Sequence, residues 1–285
     1  MTITHPTRQS VALAIARAAE EVARSEARTL MRHLLNCNQA WLIAHAEHPL
    51  SPAQTAAYSD WVARRAAGEP LAYIVGRREF HGLEFTVNAH VLIPRHESEL
   101  IVDLALARLK GSSATRILEL GTGSGCLGVA LAHRLRQTQH VVEQLLAVDL
   151  SGQALAVARA NARHHEVDIE FRLSDWYSAV PETGFDLILS NPPYIDADDP
   201  HLERGDLVWE PRLALSPGAD GLHALRQVIA GASARLRPGG WLLVEHGFDQ
   251  ATSVRALMAE QGLTDPRSFV DLDGHPRVSM ARAGP

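Results

Sequence analysis

Apolar positions recur along this chain in two different rhythms. From Ser10 to about Ala67 the spacing is helical. Val11, Leu13, Ala14, Ala18 and Val22 fall on one stripe, Ala27 to Leu35 and Ala40 to Ala46 continue the pattern, and Ser51-Pro52 opens a further helix running past Trp61. This predicts a small helical bundle. Leu71 to Ile74 and Leu83 to Val87 alternate as strands do, with Gly82 near a turn, which predicts a β-hairpin linker. Beyond Glu97 a helix through Leu100, Val102 and Leu106 comes first. Short apolar runs then alternate with helical patterns: Arg116 to Leu120, Gln144 to Val148, Ile169 to Leu173 and Phe185 to Ser190 read as buried strands. Gly221 to Leu236 reads as a helix, Pro238-Gly239-Gly240 as a turn, Trp241 to Glu245 as a strand, and Val254 to Gln261 as a helix ending at Gly262. The organisation is α/β, with a helical region at 1–68, a hairpin linker at 69–96 and a larger domain at 97–285.

The chemistry concentrates where the buried strands end. Asn191-Pro192-Pro193-Tyr194 follows the run Phe185 to Ser190 directly, and two prolines force the chain out of the sheet. In an open α/β sheet, ligands sit at the carboxyl ends of strands. The tetrad offers an amide oxygen and a proline carbonyl, two acceptors suited to one planar NH2 group, with a tyrosine ring beside them. Upstream, Gly121-Thr122-Gly123-Ser124-Gly125 follows a strand and opens a helix, the arrangement of a nucleotide-binding βα unit. Cys126 stands where a dinucleotide fold wants its third glycine, Glu119 precedes the loop, and no Lys or Arg lies within it. A ligand with a positive centre, such as a sulfonium nucleoside, suits this loop better than a pyrophosphate. Asp149 ends the next strand, placed to accept the two hydroxyls of a ribose, and Ser174-Asp175-Trp176 ends the third. Asp175 can accept from an adenine amine and Trp176 can stack on the ring.

Composition narrows the partners. The 285 residues are 46% hydrophobic and 21% charged, enough for one sizeable α/β core and a small extra domain, with a formal net charge of -6. That charge argues against a broad basic face for nucleic acid. Cys37 and Cys126 have no metal spacing and no disulfide framework, which points to a reducing compartment. No apolar run reaches membrane-spanning length, and the first residues lack the order of a signal peptide. His164-His165 cannot face one ligand from adjacent helical positions and reads as surface. Asp196, Asp198 and Asp199 lack a calcium-loop spacing and read as a solvated loop, and Glu245-His246 reads as structural.

Taken in order, the glycine loop, the Asp149 acid, Ser-Asp-Trp and Asn-Pro-Pro-Tyr resemble a class I S-adenosylmethionine-dependent methyltransferase. More narrowly, the chain resembles the HemK-type methyltransferases of peptide chain release factors. That match rests on Gly68 to Gly76, Arg78-Glu79-Phe80, Val91 to Arg95, Ser98-Glu99-Leu100, Asp199 to Leu202, Glu210-Pro211 and Val244 to Gly247, and so covers nearly the whole chain. One departure is His96, where the family usually carries a proline after Pro-Arg. The resemblance implies a seven-stranded Rossmann-like methyltransferase sheet, with an N-terminal bundle that recognises the substrate. It implies S-adenosylmethionine as the cofactor, held by Gly121, Thr122, Gly123, Ser124, Gly125, Asp149, Asp175, Trp176 and Asn191. It further implies a cytoplasmic enzyme that methylates the glutamine amide nitrogen in the Gly-Gly-Gln loop of class I release factors. Asn191, Pro192, Pro193 and Tyr194 would hold that glutamine, with Asn191, Pro192 and Tyr194 catalytic. Two rival readings remain: an amino-methyltransferase acting on an exocyclic amine of DNA or RNA, since the tetrad suits any planar NH2, and a nicotinamide dehydrogenase, for which the loop has the wrong third glycine.

Overall fold

In the computed structural model, which describes residues 9–111, 114–216, 218 and 220–285, the chain divides after Gly76 into two units. The expectations placed on residues 1–8 lie outside the described residues.

The first unit is built from α1 (Val11–Ala18), α2 (Arg24–Leu35), α3 (Gln39–Ala44), α4 (Pro52–Ala66) and α5 (Leu71–Val75). Its helix starts are written in the sequence. The Ser10 and Asn38 side chains each accept a backbone N–H of the first turn, and Ser51 forms a reciprocal capping box with Gln54 around Pro52. Val11, Ala14, Ala27, Leu30, Met31, Leu50 and Ile74 make its core, and the buried Tyr58 hydroxyl donates to the Ala27 carbonyl at 2.9 Å. Leu13, expected on the buried stripe, points outward. Leu71 to Ile74 is helix α5, not the expected strand: Ile74 packs into the helical core, and Gly76 closes the helix in the left-handed conformation at φ +72°.

In the second unit the hairpin pairs β1 (Arg77–Phe80) with β2 (Leu83–Thr86), with His81 and Gly82 at its turn. After α6 (Glu99–Leu109), strands and helices alternate through β3 (Ala114–Leu120), α7 (Cys126–Gln137), β4 (Val141–Asp149), α8 (Gly152–His164), β5 (Glu170–Leu173) and β6 (Phe185–Ser190). Then follow α9 (Arg212–Leu215), α10 (His223–Ala232), β7 (Leu236–Glu245), α11 (Ala251–Glu260), β8 (Thr264–Val270) and β9 (Pro276–Arg282). The seven-stranded sheet has the order β5-β4-β3-β6-β7-β9-β8, with β9 antiparallel to both neighbours and the other pairs parallel.

Successive residues of β3 show why the inner strands are apolar throughout. Ile117 packs with α6 and α7 on one face, while Leu118 and Leu120 pack with α10 and α11 on the other. Pro238-Gly239-Gly240 lies inside β7 rather than between elements. Gly239 adopts φ +74°, and the pairing with β6 skips from Phe185 opposite Leu236 to Leu187 opposite Trp241, so the glycines form a bulge. The chain leaves β3 toward β4 on one side and returns to β6 on the other. This switch point puts the carboxyl ends of β3, β4, β5 and β6 along one edge, with Leu120 level with both Val148 and Ser190 and Asp149 level with Leu173.

Candidate functional site

A cavity of about 780 Å³ opens over that edge. Its wall contains Gly121, Thr122, Gly123 and Ser124 from the loop after β3, Asp149 from β4, Asp175 and Trp176 after β5, and Asn191 and Pro193 after β6. Four segments far apart in sequence therefore meet around one space. Gly125, Pro192 and Tyr194 are not in its wall.

The three loop glycines have different tasks. All take positive φ, at +70°, +54° and +82° for Gly121, Gly123 and Gly125, a conformation costly for other residues. A side chain on Gly125 would meet Ala158 at 3.1 Å, so this glycine lets α8 approach the loop. Gly123 faces open space instead and gives its N–H to Asp149 Oδ2 at 2.8 Å. The Trp176 ring lies 3.7 Å from where a Cβ on Gly121 would stand.

Asp149 accepts a second N–H, from Ser151, on Oδ1 at 2.8 Å, while the Ser151 hydroxyl caps α8. The Leu150 N–H also acts on this carboxylate, so three backbone donors fix it, with lone-pair capacity left for a ligand hydroxyl. Burial raises the Asp149 pKa above the ordinary aspartate value against these N–H bonds. Trp176 is one of few non-glycine residues at positive φ, here +46°, and the Ser174 hydroxyl holds its carbonyl at 2.8 Å. Glu119, expected to suit a cationic ligand, is fully buried beneath the loop rather than in the cavity wall. Its carboxyl lies against the Thr122 hydroxyl and the Gly128 N–H without a well-aligned hydrogen bond to either, and burial, stronger than their pull, pushes its pKa up to about 8.

The tetrad is held from behind. Asn191 Nδ2 donates to Ser98 Oγ at 3.0 Å, and the Ser98 hydroxyl donates to Glu245 Oε2 at 2.5 Å. The Tyr194 hydroxyl donates to Glu245 Oε1 at 3.1 Å, and Gln250 Nε2 donates to the Tyr194 carbonyl at 3.0 Å. Tyr194 thus turns away from the cavity, and burial lifts its pKa far above the ordinary phenol value. Beside the wall residue Arg95, the buried Glu210 carboxylate receives the Ile93 N–H at 3.0 Å and pairs with Arg95, joining two segments separated by more than a hundred residues. Ser98, Glu245, Glu210 and Gln250 were not expected as site residues. For Glu245 a signal existed: it ends β7, the strand beside β6, at the same sheet edge.

The donor set fits an adenosyl sulfonium. Asp149 and Asp175 bring carboxylates to the wall, while Arg95, its one Arg or Lys among the described residues, is already paired with Glu210. Glycine N–H groups, an acid with free lone pairs and an indole ring suit a nucleoside better than a pyrophosphate.

Comparison with known proteins gives a consistent result. Residues 8–76 match the family described as PrmC N-terminal domain, and residues 98–209 match the Methyltransferase small domain family. The chain is 45% identical over 269 residues to a release factor glutamine methyltransferase of Xylella fastidiosa, covering 94% of this chain and 96% of that one. It is 47% identical over 257 residues to the release factor glutamine methyltransferase of Bordetella pertussis, covering 90% and 93%. In fold it is similar to a methyltransferase from Pyrococcus furiosus, with a TM-score of 0.50 at 16% identity over 80% of this chain and 100% of that one.

Proposed function

The chain belongs to the release factor glutamine methyltransferase family, and from that premise we propose that it methylates the side-chain amide nitrogen (N5) of the Gly-Gly-Gln glutamine in class I peptide chain release factors. The observation that carries this reading is the position of Asn191. It stands in the same cavity wall as Asp149, Trp176 and the glycine loop, with its NH2 committed to Ser98.

S-adenosylmethionine, when bound, supplies a methyl group made electrophilic by the sulfonium. Gly121, Thr122, Gly123, Ser124, Asp149, Asp175 and Trp176 are the residues to hold it, with Gly125 shaping the loop. An amide nitrogen is a poor nucleophile because its lone pair is delocalised into the carbonyl. The protein's task is therefore to orient that nitrogen and to accept its N–H bonds. Asn191 Oδ1, in the cavity wall, would take one N–H; the Pro192 carbonyl, of a residue outside that wall, is proposed for the other, with Pro193 and Tyr194 shaping the turn. Transfer would break the sulfur–methyl bond, release the thioether and leave a cationic N-methyl nitrogen with both its protons; that cation is strongly acidic and loses one proton to water, so no dedicated base is needed.

The helical region at 1–68 is proposed to recognise the acceptor protein, since the cavity and the amide clamp belong wholly to the second unit. Among the described residues no helix is long and apolar enough to cross a membrane. Acting on release factors, the enzyme would work in the cytoplasm.

Radiolabelled methyl transfer tests the acceptor, measured in parallel on a class I release factor, on the same factor with its Gly-Gly-Gln glutamine replaced, and on transfer RNA, ribosomal RNA and DNA. Label on the intact factor alone supports the reading. Label on nucleic acid, or undiminished label on the substituted factor, refutes it.

Asp149→Ala is expected to weaken S-adenosylmethionine binding by about 1–3 kcal/mol, the scale for losing a charged hydrogen-bonding group. The variant loses the ribose partner and also the acceptor that holds the Gly123 and Ser151 N–H groups. Calorimetric titration of a variant with parental circular dichroism measures this, and unchanged affinity removes Asp149 from the cofactor site. NAD is expected not to bind.

A further inference from the structure

An asparagine amide can sit in its site in two orientations related by a half-turn, with almost the same shape. Its hydrogen-bond partners decide between them. For Asn191 the decision comes from a residue it does not touch. The Ser98 hydroxyl has one proton, and an ionised carboxylate can only accept. Because Ser98 lies 2.5 Å from Glu245 Oε2, that proton is committed to the carboxylate. Ser98 Oγ then offers only lone pairs, so the NH2 edge of Asn191 must face it, which leaves Oδ1 as the other edge.

We propose that Ser98 and Glu245 are positioning residues that fix the orientation of the Asn191 amide, so that its oxygen and not its nitrogen meets the NH2 of the acceptor. This rests on the reaction proposed above. The same carboxylate holds Tyr194 through its other oxygen, so one buried group fixes both ends of the tetrad. Glu245 is 1% exposed at the end of β7, Ser98 precedes α6, and Asn191 follows β6. Three elements thus converge on one hydroxyl.

The device depends on the charge of Glu245. A neutral carboxyl could donate to Ser98, whose proton would then be free for Asn191 Oδ1, and the amide would turn over. Burial holds the Glu245 pKa at about 7. Ser98, Tyr194 and Arg277 of β9 pull it down, and Glu97 pushes it up. Cys126 of α7 also feels this carboxylate, but its thiol, raised by burial to about 12, stays neutral in the relevant range. The oriented state is therefore present above about pH 7 and lost as pH falls through it.

Two readouts test this. In single turnovers with saturating cofactor, Ser98→Ala and Glu245→Gln should each slow methyl transfer about tenfold to a hundredfold, as small misplacements at a reacting centre do. Cofactor affinity should stay within about twofold, Ser98→Thr should restore most of the rate, and the acid limb of the parent should vanish in Glu245→Gln. Without any acceptor, the Asn191 side-chain NH2 can be followed by NMR, identified by its loss in Asn191→Ala. Its proton exchange should quicken about fivefold to tenfold in Ser98→Ala and stay parental in Ser98→Thr. Parental rate and exchange in Ser98→Ala, or equal losses in the alanine and threonine variants, overturn the proposal. If Glu245→Gln does not fold, the Ser98 pair still decides. If the parent labels no release factor, the reaction reading fails, while the exchange measurement still judges the orientation.

Discussion

Asn191→Ala is expected to lower the single-turnover rate of methyl transfer by about a hundredfold or more, the scale for losing one preorganised polar contact at a reacting centre. The change removes the Oδ1 acceptor and leaves Ser98 Oγ without the NH2 it receives at 3.0 Å. It leaves intact the Gly123 and Ser151 bonds to Asp149 and the Trp176 ring over Gly121, so cofactor affinity should fall by far less than the rate. Asn191→Asp separates orientation from shape. It keeps the size of the side chain but can give no proton to Ser98, and it places a second carboxylate near Glu245. Its rate should be as low as that of the alanine variant. Rapid-quench measurement at saturating cofactor reads both. Parental rates in either variant would reduce the tetrad to a stiff exit turn from β6.

The parts of the fold that line the cavity were legible because each is punctuated locally. Gly121 to Gly125, Asp149 and the two prolines after Ser190 mark where buried strands stop, and parallel pairing brings those stops to one edge without further information. The helix starts at Ser10 and Ser51 were legible for the same reason. Leu71 to Ile74 misled because aromatic and β-branched residues favour strands, while packing of Ile74 against the helical core decided for a helix. Pro70 before it and Gly76 after it are the punctuation of a helix, a stronger local signal than propensity. The edge strand β8 is interrupted by polar positions, and its pairing with β9 is irregular, which blurs any alternation.

The polar scaffold behind the tetrad was not legible, for a different reason. Ser98 and Asn191 are 93 residues apart, and Ser98 and Glu245 are 147 apart. No local pattern records such a contact. Nor could sequence tell that Tyr194 turns its hydroxyl to Glu245 instead of into the cavity, or that Glu119 is sealed beneath the loop. Both depend on how the helices pack on the sheet. Residue type in the sequence located the chemistry, and tertiary packing divided it between groups that face the cavity and groups that hold those in place.

Gly221→Ala is the second large effect expected, and it acts on the tetrad from outside the cavity. Gly221 is buried, and an added Cβ would stand 2.3 Å from the Tyr194 carbonyl oxygen and 2.7 Å from Gln250 Nε2. The first neighbour is backbone, so a side-chain rotation cannot relieve the clash. The carbonyl must move or Gly221 must. Either movement breaks the 3.0 Å bond from Gln250 to Tyr194, and Gln250 is itself anchored through its Oε1 to the Gly247 N–H. Overpacking of this kind costs about 1–3 kcal/mol of stability. A shift of about 1 Å at the tetrad is enough to slow catalysis about a hundredfold. The variant should therefore melt several degrees lower, roughly 2–4 °C for each kcal/mol in a domain of this size, and transfer methyl groups far more slowly. Its cofactor affinity should remain near that of the parent. Gly284→Ala, whose Cβ meets nothing within 4 Å, is the matched control and should change neither quantity. Thermal unfolding and single-turnover rates on the two variants decide it. If Gly221→Ala melts and reacts like the parent, the Tyr194 carbonyl is free to move, and the tetrad does not depend on the support from Gln250.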